Sequence, residues 1–177
     1  MCRVHDHTEQ IAAVRCLDRM MRLNPRIRLV VLDSVAFHFR QSFDSGNSKS
    51  KKKILSMHGQ QLIRLASQRN AAVVVTNQVT TRIANGSSYH VPALGEPWSH
   101  MITHRVMLKK IWPSERVRVR SKASGKVSLV ELRTAQIEKS ASLGQDKAHF
   151  VVLQEGIRDV KTVAAEKEGP AQKRPRR

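Results

Sequence analysis

Two continuous apolar runs constrain this chain more than any other feature. Leu29 to Leu32 ends on Asp33, and Ala71 to Val75 runs into Thr76, Asn77 and Gln78. Neither run alternates apolar with polar, so each suits a strand covered on both faces. Between them Leu55, Gly59, Leu62 and Ala66 recur on one helical face, which predicts a helix starting near Lys53. Strand, helix, strand closes as a right-handed crossover in a parallel sheet. The predicted class is therefore α/β: a mostly parallel sheet with helices on both faces, ending in C-terminal antiparallel strands.

The flanks extend this frame. Upstream, Ile11, Val14, Leu17 and Met21 form one apolar stripe, with Thr8 as the expected N-cap and Asn24–Pro25 as the stop. Downstream, "QVTTRIANGSSYHVPALGEP" reads as a long loop of the kind that serves function. "HRVMLKKIW", the alternating "RVRVRSK", "KVSLVELRTAQIE" and "HFVVLQ" read as strands, and the ordered part ends at about Asp159. Residues 161–177 are poor in large apolar side chains and are expected to be a disordered basic tail.

Charge narrows the choice of partner. The 177 residues carry 32 Lys and Arg against 14 Asp and Glu, a net charge of +18. Such a surplus favours an anionic partner, nucleic acid or an acidic surface; the plainer reading is a basic solvated surface with a basic tail. Aromatic residues make up 4%, so platforms for stacking bases are scarce. Cys2 and Cys16 have no metal-binding spacing and make no disulfide framework, which points to a reducing compartment. No apolar run approaches the ~20 residues of a membrane span, and "MCRVHDHTEQ" lacks the apolar core of a signal peptide. No membrane partner is expected.

Several polar positions carry candidate chemistry. Asp33 closes an apolar strand, where a carboxylate either caps a turn or meets the water shell of Mg²⁺. Asn77 and Gln78 sit at the same end of the neighbouring strand, where an amide either holds a turn or donates to a γ-phosphate and relays its state into the next loop. "KSKKK", Lys49 to Lys53, suits a phosphate backbone through counterion release, or is a solvated charge run. The eight histidines show no convincing metal spacing. His100 and His104 are four apart but fall at the predicted start of a strand. No nucleophile-elbow pattern supports a Ser–His–Asp hydrolase.

The stretches "RLVVLDSVAFHFR", "AAVVVTNQVTTRI" and "VPALGEPWSHMITHRVML" resemble, in order and spacing, the core of the RecA-type strand-exchange recombinases, which are P-loop NTPases. The branch is similar to the eukaryotic recombinase paralogues, their C-type in particular. "TNQVTT", "VPALGEPW" and "EGIRD" are the most specific marks, and the likeness runs from about Cys2 to Asp159. The resemblance implies ATP and Mg²⁺ as cofactors, with Asp33 as the Walker B aspartate acting on Mg²⁺ through water. It implies that Gln78 couples the γ-phosphate to DNA binding, and that His100 faces the nucleotide of a neighbouring subunit. Arg40 to Lys53 matches the first DNA-binding loop, with Arg40, Lys49, Lys51, Lys52 and Lys53 as contacts. Val79 to Val91 matches the second, with Thr80, Thr81 and Arg82. The implied function is homologous recombination in double-strand break repair, on single-stranded DNA, in a hetero-oligomer with other recombinase paralogues. Lys173, Arg174, Pro175, Arg176 and Arg177 then fit a nuclear-import signal.

The sequence departs from the family in three places. The family's phosphate loop, GxxxxGK[ST], occurs nowhere in it. In the family that loop lies upstream of the position of Met1, so a partial product is expected: a fragment, a short isoform or an incomplete reading of the gene. Without it nothing cradles a triphosphate, and the chain alone is not expected to hydrolyse ATP. The expectation is DNA and partner binding with an incomplete ATP site; the alternative is a truncated interaction module that binds paralogue partners without DNA or ATP. Residues 112–131 form a basic insertion that lengthens a hairpin, with Arg116, Arg118, Arg120, Lys122 and Lys126 against Glu115 and Glu131. The first loop is also longer and richer in lysine than the family pattern.

Overall fold

The computed structural model of the chain describes residues 1–41, 48–111, 116–120, 125, 127–160 and 166–167. They form two compact units, residues 1–102 and 103–177.

The first unit opens with α1, His7–Leu23. Its N-cap is Asp6 rather than Thr8: the Asp6 carboxylate accepts the Glu9 N–H at 2.8 Å, and Glu9 Oε2 accepts the His5 N–H at 2.8 Å. This near-reciprocal pair closes the helix end more fully than one threonine hydroxyl would. The same Glu9 N–H holds the Asp6 carboxyl below its usual range. At the other end the Asn24 N–H and Nδ2 both donate to the Met20 carbonyl, and Pro25 follows.

The crossover then forms in the predicted order. β1, Leu29–Leu32, leads into α2, Val35–Gln41; α3, Ser48–Arg69, carries the chain back to β2, Ala72–Val75. β1 and β2 pair in parallel, from Leu29 opposite Ala72 to Leu32 opposite Val75. Arg28 fastens the far end of α3 by donating to the carbonyls of Arg69 and Asn70 at 3.0 and 3.2 Å. Arg69 in turn grips Asp18 of α1 at 2.6 Å. The core gathers Val14, Val35, Phe39, Leu55, Leu62 and Trp98, with Leu32, Val73 and Val75 packed against it.

Two expectations are corrected here. Among the described residues the parallel ladder has only two strands, so the sheet is not the mostly parallel one predicted. Its strands are also covered on one side only: Leu29, Val31 and Val74 remain 57%, 59% and 48% exposed. A continuous apolar run reports that both faces could be buried; it does not supply the elements that would bury them. The unit ends with the antiparallel pair β3, Val79–Ala84, and β4, Ser87–Pro92, and the short helix α4, Gly95–Met101.

The second unit is antiparallel throughout its described residues. β5, Arg105–Lys110, β8, Arg133–Lys139, β9, Lys147–Leu153, and β10, Gly156–Asp159, form one sheet in the order β10-β9-β8-β5. β6, Arg116–Arg120, and β7, Val127–Glu131, form a hairpin flanked by the two-residue β11, Glu166–Lys167. Within the segment expected to be a basic insertion, β6 and β7 pair antiparallel and also contribute to the core. Val117 and Val119 are buried with Leu132 and Val151, with Leu153 packed against them. The alternation in "RVRVR" turns valines inward and Arg116 and Arg118 outward. Among the described residues, no helix is long and apolar enough to cross a membrane, and no group of His, Cys, Asp and Glu could hold a metal ion.

Candidate nucleic-acid interface

The carboxyl ends of β1 and β2 bring the first candidates together. Asp33 follows β1, and its Oδ1 accepts the Thr76 hydroxyl at 2.5 Å. The Thr76 N–H donates to the Leu32 carbonyl and the Val35 N–H to the Thr76 carbonyl, so the start of α2 is anchored on the end of β2. α2 carries Arg40, whose Nη1 donates to Gln78 Oε1 at 3.1 Å. No motif or periodicity in the chain signals this contact. It joins the helix that leads towards the lysine cluster to the residue that opens β3. Asn77 does the turn-holding work: its Nδ2 donates to the Ala93 carbonyl at 2.9 Å, while the Ala93 N–H donates to the Gln78 carbonyl at 2.8 Å.

The segment expected to be a long loop is a hairpin. β3 and β4 pair from Val79 opposite Pro92 to Ala84 opposite Ser87. Asn85 and Gly86 make its turn with φ of +52° and +73°, the left-handed geometry a two-residue hairpin turn requires. The Asn-Gly pair is the sequence signal for this turn, and it outranks a scatter of serine and proline. Thr80, Thr81 and Arg82 lie along β3, and Arg82 stands opposite Tyr89. Thr81 Oγ1 and His90 Nδ1 share a hydrogen bond at 3.3 Å. Ile83 at 80% exposed, with Val79 and Tyr89, gives the hairpin an apolar component open to solvent.

The lysine cluster is also placed differently from expectation. Lys49, Lys51, Lys52 and Lys53 are not on a flexible loop; they occupy the first turns of α3, which starts at Ser48 rather than near Lys53. Lys49, Lys52 and Lys53 are exposed and Lys51 is half-buried. The first turn of α3 holds no acidic residue. A helix N-terminus carries partial positive charge, so each cation there is unfavourable by roughly 0.3–1 kcal/mol. Four lysines at that end weaken the helix and, together with the dipole, make a local anion-attracting field.

His100 lies in the last turn of α4, not at a strand start, and its Nε2 stands 3.9 Å from Glu96 Oε1. His104 belongs to the second unit, where its Nδ1 meets Ser140 Oγ at 2.9 Å. Residues 42–47 of the first predicted loop, Glu115, Lys122 and Lys126 of the insertion, and the run Lys173 to Arg177 lie outside the described residues.

The residues present do not fit a bound triphosphate. Asp33 offers one exposed carboxylate of the kind that meets hydrated Mg²⁺, but its Oδ1 is held by Thr76 and no phosphate loop exists in the sequence.

This fold and site define a class. The chain belongs to the Rad51 family, whose profile matches residues 1–160. It is similar to the protein described as DNA repair protein RAD51 homolog 3: the one from Cricetulus griseus is 31% identical over 163 residues, covering 92% of this chain and 39% of that protein. The one from Dictyostelium discoideum is 32% identical over 160 residues, covering 89% of this chain and 37% of that protein. The chain therefore spans well under half the length of either relative.

Proposed function

We propose that the chain acts in double-strand break repair by homologous recombination, as the DNA- and partner-binding part of a RecA-like P-loop NTPase core. Residues 1–160 form that part and 161–177 a basic tail. Its partners are single-stranded DNA and other recombinase paralogues in a hetero-oligomer, and Lys173 to Arg177 direct it to the nucleus. Family membership and the described role of the RAD51 homolog 3 relatives support the repair reading. The uncovered β1–β2 face, with Leu29, Val31 and Val74, supports a protein partner.

The observation that carries DNA binding is the lysine cluster on the N-terminus of α3. Changing Lys49, Lys51, Lys52 and Lys53 to alanine removes four cations from the positive end of a helix and adds four good helix formers. Thermal stability should rise or hold, so weaker binding cannot be blamed on unfolding. Each single-strand phosphate contact contributes about −0.7 to the slope of log K against log salt, so the slope should flatten by up to ~3 units. The loss should not depend on base composition, because ammonium groups on phosphates read no sequence. Lys147→Gln with Arg158→Gln is the control for net charge. Equal loss per charge in both variants would favour the interaction-module reading instead.

ATP turnover is expected to stay at background with or without single-stranded DNA, because nothing in the sequence cradles the phosphates. Phosphate release that disappears in Asp33→Asn would overturn that expectation.

A further inference from the structure

We infer that the outer face of the β6–β7 hairpin, in the second unit, is a second contact for a single-stranded nucleic-acid backbone, made by residues other than the lysines of α3. The inference takes its ligand class from the proposed function, but its residues and its test are separate.

The geometry is set by the valines. Val117 and Val119 are held in the core of the second unit, so β6 cannot rotate about its axis without exposing them. Arg116 and Arg118 are therefore committed to the opposite face. Successive same-face positions on a strand lie about 6.6 Å apart, the scale of successive phosphates on an extended single strand. Arg116 and Arg118 are both exposed there. A charge kept only for solubility needs no such fixed pitch.

The surrounding charge is lopsided. Arg116 stands in register with Glu131, which also meets Lys110 Nζ at 3.0 Å and Arg133 Nη2 at 3.8 Å. Lys110 first, then Arg133 and Arg116, hold the Glu131 carboxyl below its usual range. One carboxylate is thus shared among three cations. On the other edge of β6, the register puts Glu166 opposite Arg118. Beside the arginine row, Leu129 opposite Arg118 and Val127 opposite position 120 are 44% and 54% exposed. The face therefore pairs a row of cations with an apolar row. An extended strand of phosphates flanked by sugars and bases has matching chemistry, and a purely acidic peptide lacks the apolar half.

The experiment uses the full chain and a fluorescein-labelled oligothymidylate, titrated over a range of salt. Arg116→Gln with Arg118→Gln should flatten the salt slope by about 1.4, clearly more than the equal-charge control Lys147→Gln with Arg158→Gln. Arg116→Lys with Arg118→Lys should retain the slope. Combining the glutamines with the four alanines in α3 should give additive losses. If the α3 variant loses nothing while the hairpin variant does, the α3 reading fails and this one stands; the reverse result overturns this one alone. A benzophenone amino acid at Leu129 should cross-link to the oligonucleotide, which decides the matter even if the glutamine variant folds poorly. Equal loss in hairpin and control variants overturns the proposal, as does the absence of a cross-link. Polyglutamate displacing the oligonucleotide from position 129 at equal charge concentration would assign the face to an acidic polypeptide and overturn it too.

Discussion

Phe39→Ala should destabilise the first unit by about 3–5 kcal/mol, the range for removing a fully buried aromatic side chain. Phe39 is completely buried and sits among Val14, Val35, Leu55, Leu62 and Trp98. Its ring lies 5.8 Å from that of His7 and 5.6 Å from that of His58, so it ties α2 to both long helices. A domain of this size commonly has about 5–15 kcal/mol in total, so the loss takes much of the margin. The neighbouring residue is Arg40. With Phe39 gone, α2 loses its anchor and the Arg40–Gln78 contact loosens with it. Urea denaturation should show the midpoint falling sharply, with Phe39→Leu in between. A loss below about 1 kcal/mol would mean that the cluster repacks and that α2 is not anchored there.

Mild acid should also weaken this unit, through His58. The ring is almost fully buried, and burial holds its pKa down to about 4, from 6.5 when exposed. Gln10 Nε2 reaches its Nε2 at 3.4 Å, and among the described residues no carboxylate hydrogen-bonds the ring. Between pH 6.5 and about 4 the unfolded chain binds a proton that the folded chain refuses. Stability is therefore whole above 6.5 and falls as pH drops through that window, by about 3 kcal/mol in total. Urea melts at pH 7, 5.5 and 4.5 measure the slope, and His58→Gln should remove most of it. Equal slopes in both proteins would show that His58 is not the responsible group. The direction is opposite to that of a histidine held by a carboxylate, which would gain stability in acid.

The parts of this structure legible in the sequence were those fixed locally. The stripe Ile11–Val14–Leu17–Met21 identified α1, and the two apolar runs identified β1, β2 and the crossover between them. Alternation in "RVRVR" identified β6. Errors arose where two local signals competed or where the answer lay in distant parts of the chain. Asp6 displaced Thr8 as cap because Glu9 engages it and the neighbouring backbone together. The lysine run, polar and rich in serine, reads as loop, yet the apolar face of α3 carries the helix back to Ser48. The Arg40–Gln78 contact joins residues 38 apart and no periodicity reports it. The division at residue 102 was equally invisible, since each side has a plausible apolar pattern of its own.

The bond between Arg40 and Gln78 sets a limit on how strongly its two surroundings can influence one another. It joins two exposed side chains, and a bond of this kind contributes about 1 kcal/mol. A ligand that draws the Gln78 amide away from Arg40 must give up that energy, and a ligand that captures Arg40 must give it up first. By thermodynamic reciprocity each therefore eases the other by the same factor, about fivefold for 1 kcal/mol. The end of α2 and the base of the β3–β4 hairpin are thus coupled as a dimmer is, by degrees: the contact can grade one event by another but cannot turn it on or off.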